Sequence, residues 1–189
     1  MQYSDNYQFY KKAIEKYGIS PQGVHWNSQH NQYKRFEVLT HFIKENIKEY
    51  TILDVGCGFA EYYHYLSIHN LTPKTYLGLD CEDKMIELSK KRFPKETFYC
   101  KNVLEDKLFY ADYYLCSGAL NILNEEEFFN FIKICFHYSK KGFAFNFLVQ
   151  DTFNPINKHK VIAFCELLAR EVTTTHNYLY NDLTIFMEK

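Results

Sequence analysis

The sequence predicts an α/β protein whose mostly parallel sheet is covered by helices on both faces. Three observations carry this expectation. From Thr51 onward, short apolar runs alternate with stretches of helical period, the pattern of parallel strands joined by crossover helices. The run Thr51 to Gly58, TILDVGCG, ends in an acidic residue followed by two glycines one residue apart, as where a buried strand feeds a tight turn and a helix. A second strand, TYLGLD, closes on another acid, Asp80, 22 residues after Gly58.

The elements follow in order. After the first strand, Gly56 and Gly58 let the chain turn before a helix that starts near Ala60; alanine suits that place if its backbone keeps negative φ. The second strand runs over Thr75 to Leu79 and closes on Asp80. A helix from Glu82 to Phe93 places Met85, Ile86, Leu88 and Ser89 inward and stops at Pro94. The third strand is Thr97 to Cys100, and the fourth, Ala111 to Cys116, exits into SGALNIL. Glu125 to Lys140 has acids in its first turn and apolar residues at helical spacing, and leads into a fifth strand, Gly142 to Val149. A helix over Asn157 to Arg170 precedes two strands, Glu171 to Tyr178 and Asp182 to Glu188, whose short turn predicts a hairpin. The first 50 residues lie outside the sheet: a helix over Asp5 to Tyr17 stopped by Gly18, and a longer one over Gln29 to Ile47 with Phe36, Leu39, Phe42, Ile43 and Ile47 inward. The 189 residues are expected to form one domain, a helical cap over 1–48 and a core over 49–189.

Composition narrows the class. Six cysteines are scattered without a CxxC pair, against a disulfide framework or a zinc site. No apolar run approaches the roughly 20 residues that span a bilayer, and the N-terminus lacks an apolar signal core, so a cytoplasmic protein is expected. A net charge of −1 gives no broad footprint for nucleic acid. Tyr and Phe number 17 each, but Lys also far outnumbers Arg; both read as coding bias, with most aromatics in the core.

The glycine turn selects its ligand. A dinucleotide fingerprint needs a third glycine where Glu61 stands, and a carboxylate there, with Asp54 before the turn, repels phosphate. No Gly-Lys-Ser/Thr follows, which excludes a phosphate loop. The site wants a cation or a neutral polar group, and Asp80 suits a ribose diol.

At these residues, LDVGCGFA (Leu53 to Ala60) and GLDCEDKMIELSKKRF (Gly78 to Phe93), the chain resembles the class I S-adenosylmethionine-dependent methyltransferases. The resemblance runs from about Thr51 to the C-terminus, with one departure: Ala60 stands where the family often has a third glycine. It implies a Rossmann-like, seven-stranded, mostly parallel sheet with a C-terminal antiparallel hairpin, S-adenosylmethionine as cofactor and S-adenosylhomocysteine as product. It places Gly56, Cys57 and Gly58 against the methionine part, Asp54 near its amino group, and Asp80 on the ribose. Cys81 and Met85 would flank the adenine, Asn102 and Val103 meet its edge, and Ser117, Gly118 and Leu120 back the sulfonium. Arg35, one of three arginines, is a candidate clamp for the cofactor carboxylate; the competing reading is a surface ion pair with Glu37 or Glu45. Trp26 and Asn121 are candidates for the acceptor pocket, with the linker around Trp26, His25 and His30 either a lid or a plain cap.

Methyl transfer from a sulfonium needs alignment and exclusion of water more than a base, and no residue announces itself as one. At the fourth-strand exit, SGALN replaces the Pro-Pro-aromatic of DNA amino-group and glutamine methylases, and the chain has no Pro-Cys as in cytosine-C5 methylases. A small-molecule acceptor, a carboxylate, hydroxyl or amine, is the leading expectation, without nucleic acid or membrane partners. Two alternatives remain: a protein or RNA methylase, favoured if Lys140, Lys141, Lys158 and Lys160 share one rim, and a module that binds the cofactor without turnover.

Overall fold

The computed structural model describes residues 29–150 and 154–189. Trp26, His25 and the helix expected over Asp5 to Tyr17 lie outside the described residues. Seven strands form one sheet in the order β3-β2-β1-β4-β5-β7-β6: β1 (Thr51–Val55), β2 (Thr75–Asp80), β3 (Thr97–Cys100), β4 (Ala111–Ser117), β5 (Ser139–Leu148), β6 (Glu171–His176) and β7 (Asp182–Glu188). The first five are parallel, and β7 runs antiparallel between β5 and β6. Strand order reverses between β1 and β4, so the crevice at their carboxyl ends is the place for a ligand.

Side-chain alternation divides the sheet. Leu53, Val55, Tyr114, Cys116, Phe143, Phe145 and Phe147 point into one core beneath α4 (Glu125–Tyr138) and α5 (Lys158–Leu168). Ile52, Leu115 and Ala144 point into the other, with α1 (Gln29–His41) and α2 (Glu61–Ile68). The helix α3 (Asp83–Arg92) packs beside β2 and β3. Asn124 caps α4: its Oδ1 accepts from the Glu127 amide at 3.0 Å and its own amide donates to Glu127 Oε2 at 3.0 Å, satisfying two orphan donors of the first turn.

The helix expected to reach Ile47 ends at His41. Phe42 leaves it to stack on Phe186, with ring centroids 5.0 Å apart, and Asn46 adopts φ 61 before a short 3-10 turn, Ile47–Glu49. Strand β5 begins three residues earlier than expected, because Ser139 pairs with Ala111. Ala60 departs most in conformation: its φ is 60, left-handed rather than negative, at a cost of roughly 1–2 kcal/mol for a residue with a Cβ.

Candidate active site

The loop after β1 is built by the strand beside it. The amides of Gly56 and Cys57 both donate to the Leu79 carbonyl, at 2.7 and 3.0 Å, which pins the turn to the end of β2. Gly56 adopts φ +72, and a Cβ there would overlap the Ala119 methyl; only glycine fits. From outside, α3 holds the turn: Ser89 Oγ donates to the Gly58 carbonyl at 2.8 Å and Arg92 Nη1 to the Phe59 carbonyl at 2.5 Å.

Two cavities flank this loop and share Gly56, Gly58 and Ser117. The larger, about 220 Å³, lies over the carboxyl ends of β2, β3 and β4 and is walled by Val55, Leu79, Met85, Val103 and Phe131 with Asp80 and Glu82 at its polar side. The smaller, about 50 Å³, lies between the loop and α1 and is lined by Gln32, Asp54 and Tyr62.

The two acids sit in different electrostatic settings. Asp80 Oδ2 accepts from the Gly58 amide at 2.9 Å and Oδ1 from the Glu82 amide at 3.0 Å. Burial raises its carboxyl, and these backbone donors oppose the rise. Asp54, 3% exposed, accepts a 2.6 Å bond from the Tyr76 hydroxyl. Burial outweighs that bond, and with the charge of Asp80 pushes the Asp54 carboxyl up to about 7. Burial likewise pushes the Cys81 thiol up to about 12, so Cys81 packs in the cavity wall as a neutral thiol.

Residues 53–142 match the family described as a methyltransferase domain. Over those residues the chain is similar to that family. Solved structures with the same architecture include N-methyltransferase NodS from Bradyrhizobium japonicum in complex with S-adenosylhomocysteine, 12% identical over 97% of each chain with a TM-score of 0.73. They also include magnesium protoporphyrin IX methyltransferase from Synechocystis with bound S-adenosylhomocysteine, 10% identical over 85% of this chain and 84% of that one at a TM-score of 0.69. A TehB-like S-adenosylmethionine-dependent methyltransferase from Corynebacterium glutamicum is 16% identical over 98% and 97%, at 0.68. No curated protein matches the sequence. The fold is that of the class I, Rossmann-like methyltransferases, as expected.

Of the residues expected at the site, Gly56, Gly58, Asp80, Cys81, Met85, Asn102, Val103, Ser117 and Gly118 all line the larger cavity. Asp54 and Cys57 line the smaller one. Three candidates stand elsewhere. Arg35 is not at the cavities: its Nε and Nη2 donate to both carboxylate oxygens of Asp182 at 2.5 and 2.7 Å, a buried fork rather than a surface pair. Leu120 is 1% exposed and packs in the core, because the turn Ala119–Ile122 folds it inward. Asn121 Oδ1 accepts the Leu148 amide at 2.9 Å, tying that turn to the end of β5. The Asn102 side chain accepts from the Leu104 amide at 3.0 Å, so it shapes the loop after β3 as well as lining the larger cavity.

Sequence reasoning missed Tyr76, the partner of Asp54. A tyrosine in an apolar strand, on the face of Ile52 and Asp54 by register, was the available signal. It also missed Glu82, whose buried Oε1 has no hydrogen-bond partner and which lines the larger cavity.

Proposed function

We propose that this chain is an S-adenosylmethionine-dependent methyltransferase acting on a small-molecule acceptor. The observation that carries the reading is Asp80: an acid at the end of β2, oriented by the Gly58 and Glu82 amides, at the rim of a cavity that opens at the switch point. Each of its oxygens keeps a lone pair, enough for a ribose diol. The buried acceptors fit the rest of the ligand. Glu82 lines the larger cavity and Gln32 and Asp54 the smaller one, and Glu82 Oε1 and Gln32 Oε1 are buried acceptors without a donor. A buried acceptor without a donor is costly, and a ligand bringing hydroxyls to one cavity and an ammonium to the other relieves both.

The cofactor supplies a methyl group on a sulfonium; as the acceptor bonds to that carbon, the carbon–sulfur pair leaves with sulfur, and the acceptor's proton goes to solvent. This chain's residues bind, orient and dry. Asp80 grips the diol, Cys81, Met85 and Val103 sandwich a flat ring in apolar surroundings, and Ser117 lines both cavities. Alignment of the reactants supplies the main rate factor.

The lysines give the macromolecular reading no support. Lys140 and Lys141 begin β5, opposite the ligand end of the sheet, whereas Lys158 and Lys160 open α5, where Lys160 pairs with Glu125 at 3.0 Å. Among the described residues, no helix is long and apolar enough to cross a membrane.

Calorimetry tests the assignment. The parent should bind S-adenosylmethionine and S-adenosylhomocysteine, and Asp80→Ala should lose roughly 1.5–3 kcal/mol of affinity while keeping its fold by circular dichroism. Equal affinity in a folded Asp80→Ala protein refutes the site.

A further inference from the structure

The sheet ends on two strands of different character. At one edge, β3 is four residues long and is bracketed by Lys95, Glu96 and Lys101, charges that discourage pairing with another chain. At the other, β6 has six residues, Glu171–His176, and among the described residues it pairs only with β7. Its centre, Val172 to Thr175, is wholly β-branched and holds neither charge nor proline. Arg170, the cation just before it, is turned onto Glu188. The two most exposed large apolar side chains among the described residues flank this strand: Leu167, 84% exposed, at the end of α5, and Tyr180, 81% exposed, in the turn to β7.

We propose that the β6 edge is an interface between two copies of this chain, which pair β6 antiparallel to β6 about a two-fold axis and continue the sheet from one molecule into the next. The strand is complementary to itself. Antiparallel pairing brings Leu167, before the start of one strand, to the end of the seam where the partner's Tyr180 stands. Exposed apolar groups that lie at opposite ends of one strand thus meet across the pair. Alternation fixes the register. Opposed residues of an antiparallel pair share a face, and the two-fold axis keeps α5 of both copies on one side of the sheet, so one residue stands opposite itself. Thr173 on the axis would set Arg170 against the partner's His176, two basic groups. Thr174 on the axis avoids this: Thr173 then faces the partner's Thr175 and Val172 faces the partner's His176. Glu171 lies one position along from that same histidine, an acid beside a base. A seam of this size belongs among the weaker interfaces.

Sedimentation equilibrium on the full chain tests this. The parent should form a dimer with a dissociation constant of about 1–100 µM. Leu167→Lys alters a side chain that is 84% exposed, so the fold is kept, and it should weaken association at least about tenfold. Thr174→Lys opposes two like charges on the axis and should leave a monomer with the parent's circular dichroism; if it does not fold, Leu167→Lys carries the test. Thr174→Cys reads the register. Opposed residues have Cα atoms about 4.5–5.5 Å apart, within disulfide reach, so diamide oxidation should cross-link this variant into a dimer well above the level given by the parent with its six native cysteines. A parent that stays monomeric at about 100 µM, as when another segment of the chain or a different protein covers the edge, overturns the proposal. So does a dimer whose dissociation constant is unmoved by Leu167→Lys, or a Thr174→Cys protein that cross-links no more than the parent.

Discussion

Replacing Asp54 by asparagine should make the empty protein more stable at pH 8 than the parent, although it removes an acid from the site. The carboxyl is 3% exposed, and burial pushes it from its ordinary 3.8 to about 7. The native state therefore holds the proton more tightly than the unfolded chain. The stability this proton contributes is fully present below about pH 4 and is lost as pH rises through about 7. At roughly 1.4 kcal/mol per pH unit, the loss reaches at most about 4 kcal/mol. An asparagine at this position would keep the shape and the Tyr76 hydroxyl bond without titrating, so the difference between the two proteins isolates this group. Urea unfolding of parent and Asp54→Asn at several pH values reads it directly. The parent's stability relative to the variant should fall steadily between about pH 4 and 7 and then level off. A difference independent of pH would show that the carboxyl is ionised throughout and that burial does not govern it.

Gly56→Ala should lower stability by about 2–4 kcal/mol, the sum of a left-handed backbone with a Cβ and the overlap with Ala119; a variant with the parent's melting temperature would mean the turn relaxes freely. Arg35→Met leaves Asp182 buried without its guanidinium and should cost about 3–5 kcal/mol. Arg35→Met combined with Asp182→Leu should recover most of that in urea unfolding, and failure of the double variant to recover would show that the fork does more than neutralise its partner.

The parts of the site that were legible are those written in adjacent residues. Asp54, Gly56, Gly58 and Asp80 lie in two short strands and their exits, so local pattern located them and the sheet brought them together. Arg35 was misplaced because its partner lies 147 residues away, where no spacing rule reaches. The side chains of Leu120 and Asn121 were misread for a different reason: a 3-10 turn follows Gly118, and a turn of that pitch sends successive side chains to directions that a loop reading cannot foresee. Helix α1 stopped early because stacking of Phe42 on Phe186 outweighed the helical period that continued past it. Ala60 shows the same hierarchy, since the tie of its amide to the Cys57 carbonyl at 2.8 Å closes the turn despite the strained φ.

The contrast between the two acids has a consequence for ligand binding. Asp80 is held by backbone donors that oppose its burial, so it can meet neutral hydroxyls without a change of charge. Asp54 can meet an ammonium well only as a carboxylate, and below pH 7 the proton held there by burial must first leave. Affinity for a ligand with the amino-acid ammonium should therefore drop about tenfold per pH unit below that point, with a proton released on binding. Adenosine, which carries the ribose and the base but no ammonium, should bind with little pH dependence across the same range. In Asp54→Asn the two ligands should follow the same flat profile. If S-adenosylhomocysteine and adenosine instead show parallel pH dependence in the parent, the ammonium lies away from Asp54, and the smaller cavity serves another part of the ligand.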